Sequence, residues 1–256
     1  MENALLVGLS RLVALERQFD VVANNIANLN TTGFKSSSSI FQEYLGSGAQ
    51  ENAFAPNDAG VRFVLDRASL LDLRQGPVQQ TGNPLDVAID GDAFIAVQTA
   101  AGERYTRSGA LKVNSAGVIV TADGTPVAGD NGPITLQATD RNISISTDGR
   151  ISVVEGATGS IDTQRGKLKL VTFGQPQQLT SEGANLFAAP AGVTPQAAGA
   201  SVRVIQGATE GSNVNGVVEM SRMIEINRTY SMIASLLQTQ NDLHNSSIDK
   251  LAEVPT

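Results

Sequence analysis

Apolar residues recur along the first part of the chain at Leu5, Leu9, Leu12, Leu15, Phe19, Val22, Ile26 and Leu29. Spacings of three and four place them on one face of a helix over 4–29, about 39 Å long. A stop is legible beyond it. With Gly33 as the left-handed residue, Phe34 folds back on Leu29 in a Schellman arrangement. A second stripe, Met223, Ile226, Tyr230, Ile233, Leu237, His244, Ile248 and Leu251, predicts a helix near the other end. Val217 and Met220 extend it upstream, and Asn213 or Asn215 supplies its N-cap. The stripe weakens through Gln238–Ser247, so the final third is expected to pack less well or fray.

Between the two stripes the pattern changes to period two. Leu85, Val87 and Ile89 alternate with Asp86, Ala88 and Asp90, and Phe94–Thr99 follows. Further strands are predicted at Leu111–Val113, Val118–Thr121, Ile143–Ser146, Ile151–Val154, Lys167–Phe173 and Val202–Ile205. Turn pairs separate them: Ala101-Gly102, Ala116-Gly117, Asp123-Gly124, Asn131-Gly132 and Asp148-Gly149. Short strands at this spacing predict an antiparallel β domain. The stretch 35–84 is less regular. Ser36–Ser39 and Gly46–Gly60 read as loop, while Phe41, Tyr44 and Val61–Leu65 read as extended pieces, so a linker or projecting hairpin is expected there.

Composition narrows the chemistry. The chain has 256 residues, with no cysteine, one histidine, and a net charge of −7 from 18 basic and 25 acidic residues. A disulfide framework, a thiolate metal site and a thiol nucleophile are excluded. The acidic balance and sparse aromatics argue against a sequence-independent grip on nucleic acid. No run of 18 apolar residues suggests a membrane span, and no cleavable signal is visible at the N-terminus. That leaves a cytosolic protein, or one exported without a cleaved peptide. His244 has no orienting partner legible in sequence. Asp86, Asp90 and Asp92 form the densest carboxylate group. Phe94 and Ile95 break the EF-hand pattern there, so Asp86 is expected to point out from a half-buried strand and Asp90-Gly91-Asp92 to make a turn.

The terminal stripes are long for a single helix–helix contact, and Asn24, Asn25, Asn28 and Asn30 stand where a monomer core would carry Leu or Ala. Buried amides need partners and fix register. Val22-Ala23-Asn24-Asn25-Ile26-Ala27-Asn28-Leu29-Asn30-Thr31-Thr32-Gly33-Phe34-Lys35 resembles the N-terminal signature of bacterial flagellar basal-body rod and hook proteins. Asn213-Val214-Asn215, Glu219-Met220, Met223-Ile224 and Asn227-Arg228-Thr229-Tyr230 resemble its C-terminal counterpart. Thr81–Phe94 and Tyr105-Thr106-Arg107-Ser108-Gly109 resemble the family's central β module, with Ala93 where the family often has Gly. The opening Met1–Ala4, Gly8–Arg11 and the Thr81–Ile89 string look more like the family's proximal rod member than its distal one, which stays open as the alternative.

The resemblance implies a structural subunit of the rod crossing the periplasm, not an enzyme, with no cofactor and no metal. It implies an α+β fold: N- and C-terminal helices pairing as a coiled-coil-like α domain, with a central antiparallel β-rich domain. The expected division is 1–34 with 211–256 as the helical assembly domain, 35–80 as an extended linker or hairpin, and 81–210 as the β domain. Expected partners are copies of the chain, other proximal and distal rod proteins and the flagellar export apparatus, with no nucleic acid and no membrane insertion. The residues expected at the assembly interface are Leu9, Leu12, Phe19, Asn24, Asn25, Ile26, Asn28, Gly33, Phe34, Asn213, Met220, Ile224, Tyr230, Ile233 and Leu237. Two other classes compete: a secreted β-domain adhesin whose helices close its own core, and a carbohydrate-active enzyme using Asp86 or Asp90.

Overall fold

The computed structural model describes residues 2–46, 61–155 and 161–252. The loop read between Gly46 and Gly60 lies outside the described residues, apart from Gly46 itself. So do the side chains of Leu5, Phe41, Tyr44, His244, Ile248 and Leu251. The chain forms two compact units, one built from 1–27, 37–70 and 215–256, the other from 28–36 and 71–214.

The first unit holds both long helices, α1 (Glu2–Ala27) and α2 (Gly216–Ala252). Strand Ser37–Gly46 pairs with Val61–Leu71, so the extended pieces of this stretch form a two-stranded ribbon. α1 packs against α2 and against Ser37–Gly46. Asn215 caps α2: its Oδ1 accepts from the Val218 amide at 3.3 Å, and its carbonyl takes the Glu219 amide. Asn213 is not the cap. α2 runs unbroken to Ala252, and its described side chains beyond Gln240 are exposed rather than frayed.

α1 ends at Ala27, two residues before the predicted limit, and without the Schellman stop. Asn28 starts a turn in its place. Its carbonyl and its Oδ1 accept from the backbone amide and the hydroxyl of Thr31, which competes with helical continuation. Gly33 does have a left-handed φ of 70°. It sits in the other unit, however, and donates its amide to the Glu210 carbonyl at 2.8 Å. A Cβ there would come 2.4 Å from the Arg107–Ser108 backbone, so glycine is needed for close approach rather than to end a helix.

The second unit is antiparallel throughout its described sheets. The largest sheet runs in the order Thr180–Ser181, Leu186–Ala188, Gly102–Thr106, Phe94–Thr99, Leu170–Thr172, Gln196–Ala197. A three-stranded sheet joins Asp140–Ile145, Arg150–Glu155 and Ile161–Lys167. Val87–Asp90 pairs with Arg203–Gln206, and Val78–Gln80 with Ala208–Glu210, so the last strands of this unit return to its first. Ile89, Ile95, Val97, Ile119, Val127, Ile151 and Val153 fill the main core. Phe94, Tyr105, Phe173 and Phe187 form a second cluster on edge-to-face contacts.

Three strand readings need correction. Val87, Ala88 and Ile89 are all buried, so this strand is covered on both faces rather than half-buried. Asp86 points inward, where its carboxylate accepts from the Thr81 hydroxyl at 2.7 Å and the Asn83 amide at 2.9 Å. The stretch Lys167–Phe173 is not one strand. Leu168 and Lys169 step between two sheets, held by Gly149 and Ala128 carbonyls. The five turn pairs read from sequence all place their glycine at positive φ.

Candidate assembly surface

α1 and α2 run antiparallel. At one end Gly8 lies so close to Leu237 that a Cβ would come 2.6 Å from its Cδ2. At the other end Asn25 meets Glu219. Asn25 is 1 % exposed; its Nδ2 donates to the Ser37 carbonyl at 2.9 Å and to Glu219 Oε2 at 3.2 Å, while its Oδ1 accepts the Ser37 amide at 3.0 Å. Glu219 also accepts from Arg222 at 2.7 Å. One amide thus fixes α1, the following strand and α2 in a single register. Asn24 is exposed and Asn28 half-buried, and both make interactions of their own.

The apolar residues divide into covered and uncovered sets. Leu12 and Ile26 on α1, and Met223, Ile226, Ile233 and Leu237 on α2, are half-buried; Leu15 and Val22 are buried. Leu9, Phe19, Met220, Ile224 and Tyr230 are exposed. Phe19 and Tyr230 border a groove of about 220 Å³ that is floored by Leu15 and Ile226. Val13, Val218, Met232, Leu236 and Leu243 are also exposed, and the sequence reading did not select them. One signal was available: Thr229–Asn241 contains no charged residue. A solvent-facing helix face ordinarily carries charge.

The remaining residues expected at the interface, Gly33, Phe34 and Asn213, gather in the β unit, around a buried charge cluster. Glu210 is fully buried; its Oε1 accepts from Lys35 Nζ at 2.5 Å and from the Gly76 amide at 2.9 Å. Lys35 Nζ also donates to the Arg74 carbonyl at 2.8 Å. Arg107 Nε lies 3.4 Å from Glu210 Oε2, and its Nη1 donates to the Gly91 and Ala93 carbonyls. Its guanidinium sits over the Phe94 ring, 5.6 Å from the centroid. Burial pulls the Lys35 ammonium below its ordinary range, opposed by the Glu210 hydrogen bond. Burial likewise lowers Arg107, opposed by Glu210 and Asp92.

Gly33 and half-buried Phe34 belong to the same N-terminal segment as Lys35. Asn213 anchors it from the other side, accepting the Ser36 amide at 2.7 Å and donating to the Asp72 and Arg74 carbonyls. Sequence reading missed this cluster, although Lys35 and Arg107 both stood in the motifs quoted for the resemblance. Nearby, burial and Glu103 push the Tyr105 phenol up to about 12. Among the described residues, no group of three or more His, Asp or Glu side chains is arranged to hold a metal ion. No described helix is long and apolar enough to cross a membrane.

Comparison with known proteins places this architecture. Family models match three segments: "Flagella basal body rod protein" over 5–35, "Flagellar hook protein FlgE/F/G D1 domain" over 88–153, and "Flagellar basal body rod FlgEFG protein C-terminal" over 205–250. The flagellar basal-body rod protein FlgF of Caulobacter vibrioides is 35 % identical over 99 % of this chain and 100 % of its own length. The chain belongs to the flagellar basal-body rod protein family. It is a structural subunit of the rod. FlgF of Mesorhizobium japonicum is 31 % identical over 98 % of both chains, and FlgG of Bacillus subtilis 30 % identical over 95 % of this chain and 97 % of its own. The charge cluster draws one residue from each matched segment of this rod protein: Lys35, Arg107 and Glu210.

Proposed function

We propose that this rod subunit polymerises through its terminal helices into the torque-transmitting shaft, at the proximal rod. The observation that carries this reading is the set of large apolar side chains left in solvent on α1 and α2, Leu9, Met220, Ile224 and Tyr230 among them. Complete burial of each such side chain is worth roughly 1.5–3 kcal/mol. Those contacts come from copies of the chain and from other rod proteins. The unit of 1–27, 37–70 and 215–256 serves as the assembly domain, with α1 and α2 paired in coiled-coil fashion. The β unit, 28–36 and 71–214, meets adjacent subunits.

The chain reaches the rod unfolded, through the flagellar export apparatus. The absence of cysteine suits such threading, since no cross-link can form on the way. Assignment to the proximal rod is supported by full-length similarity to FlgF proteins; a distal subunit is the second reading, favoured by comparable similarity to FlgG. The test is Leu9→Asp, in the full chain. The purified protein should keep its stability to within about 0.5 kcal/mol, as exposed positions do, while incorporation into basal bodies and swimming are lost. Normal motility with Leu9→Asp present in the rod would overturn the reading.

A further inference from the structure

α2 carries apolar residues on three faces. Met223, Ile226, Ile233 and Leu237 turn toward α1 and are half-buried. Met232, Leu236 and Leu243, spaced by four and seven, form a second stripe that is 65–71 % exposed. Val217, Met220 and Ile224, spaced by three and four, form a third, 54–77 % exposed. At about 100° per residue the two open stripes lie roughly 100° apart around the helix. They also occupy opposite halves of its length. A helix apolar all round is a buried helix, and α1 covers only one of these faces.

We infer that the Met232–Leu236–Leu243 stripe of one copy seats on the Val217–Met220–Ile224 stripe of a neighbouring copy. This rests on the rod reading above and specifies its contact. A two-fold dimer would bury only one stripe per helix, because the two face different directions. A head-to-tail contact buries both, and it propagates without closing on the pair, as a shaft requires. The Met232 stripe lies in the charge-free run Thr229–Asn241, and the exposed charge between Gly216 and Ile224, Arg222, lies roughly 170° around the helix from the Val217 stripe. Depletion of charge is the compositional mark of an interface core. A lipid surface fits less well, since the chain carries a net charge of −7. Matching Leu236 to Met220 shifts neighbouring helices by 16 residues, about 24 Å along the axis.

The cysteine-free chain makes the test direct. Met220→Cys and Leu236→Cys are introduced on separate full-length copies, expressed singly and together, and oxidised in isolated basal bodies. A disulfide-linked dimer of the chain is expected when both variants are present, and none with either alone. The pair Val217→Cys and Met232→Cys, within one residue of the same register, repeats the test if one of the first variants is excluded from the rod. A dimer from a single variant overturns the head-to-tail pairing, as does a cross-link to a chain of different mass. Incorporation of both variants without any dimer also overturns it, while leaving the rod reading intact. Absence of the wild-type chain itself from basal bodies would sink the rod reading.

Discussion

The two units solve the burial problem differently. In the β unit Ile95, Val97, Ile119, Val127, Ile151 and Val153 are completely covered, and even its deepest charges have partners. In the helical unit Met232 and Val217 stand more than two-thirds exposed on a helix that does hold its register. The β unit is therefore finished as a monomer, and the helical unit is ordered but incomplete. A rod subunit gains from this division. One part keeps its shape alone, while the other keeps a reserve of uncovered apolar area for assembly with other rod proteins.

The largest effect that would sharpen this contrast is expected at Glu210. Glu210→Ala leaves Lys35 and Arg107 buried without their carboxylate, and breaking a buried pair on one side costs about 3–5 kcal/mol. Urea unfolding followed by the strand signal in circular dichroism checks this; a loss below about 1 kcal/mol would show that the cluster does not hold the β unit. Asn25→Ala comes next. It strips the Ser37 amide and Glu219 of a buried partner, at about 1–3 kcal/mol. Hydrogen exchange should locate that loss in α1, the Ser37–Gly46 strand and the start of α2, with β-unit amides unchanged. Spread of the effect into the β core would break the comparison.

The smallest effect is confined to acid. Asp140 takes two hydrogen bonds from Arg165, at 2.8 and 2.5 Å, and these hold its carboxyl below the ordinary value of 3.8. A folded-state pKa below the unfolded one stabilises above 3.8, and the contribution is lost as pH falls through the folded value. Asp140→Asn should therefore lower stability at pH 7 and flatten its decline below pH 4, as followed by thermal melts across that range. An unchanged acid limb would show that the pair contributes nothing to the β unit.

Much of the fold was legible because its signals are local. The strands Phe94–Thr99 and Leu111–Val113 stand where period two put them, and each predicted turn glycine has positive φ. The misreadings arose where distant chain segments decide. Gly33 has the conformation of a helix stop, yet the Arg107–Ser108 backbone is what requires it. Asp86 looked solvent-facing until Thr81 and Asn83 turned back on it. On the helices, periodicity found both elements but merged two kinds of apolar position. Leu9 and Leu15 share one stripe on paper, while in the structure one is in solvent and the other buried. Periodicity reports that a residue seeks cover, not which body supplies it.

The union of Lys35 with Glu210 spans 175 positions of the polypeptide. An ammonium that is to be sealed away from water has no acceptable counter-ion until that remote carboxylate has folded back onto it. Neither terminal half of the polypeptide can latch into its mature shape without the other. The lock closes only when two segments far apart along the polypeptide are both in place, which makes this hidden pairing a check on long-range closure as well as a fastening.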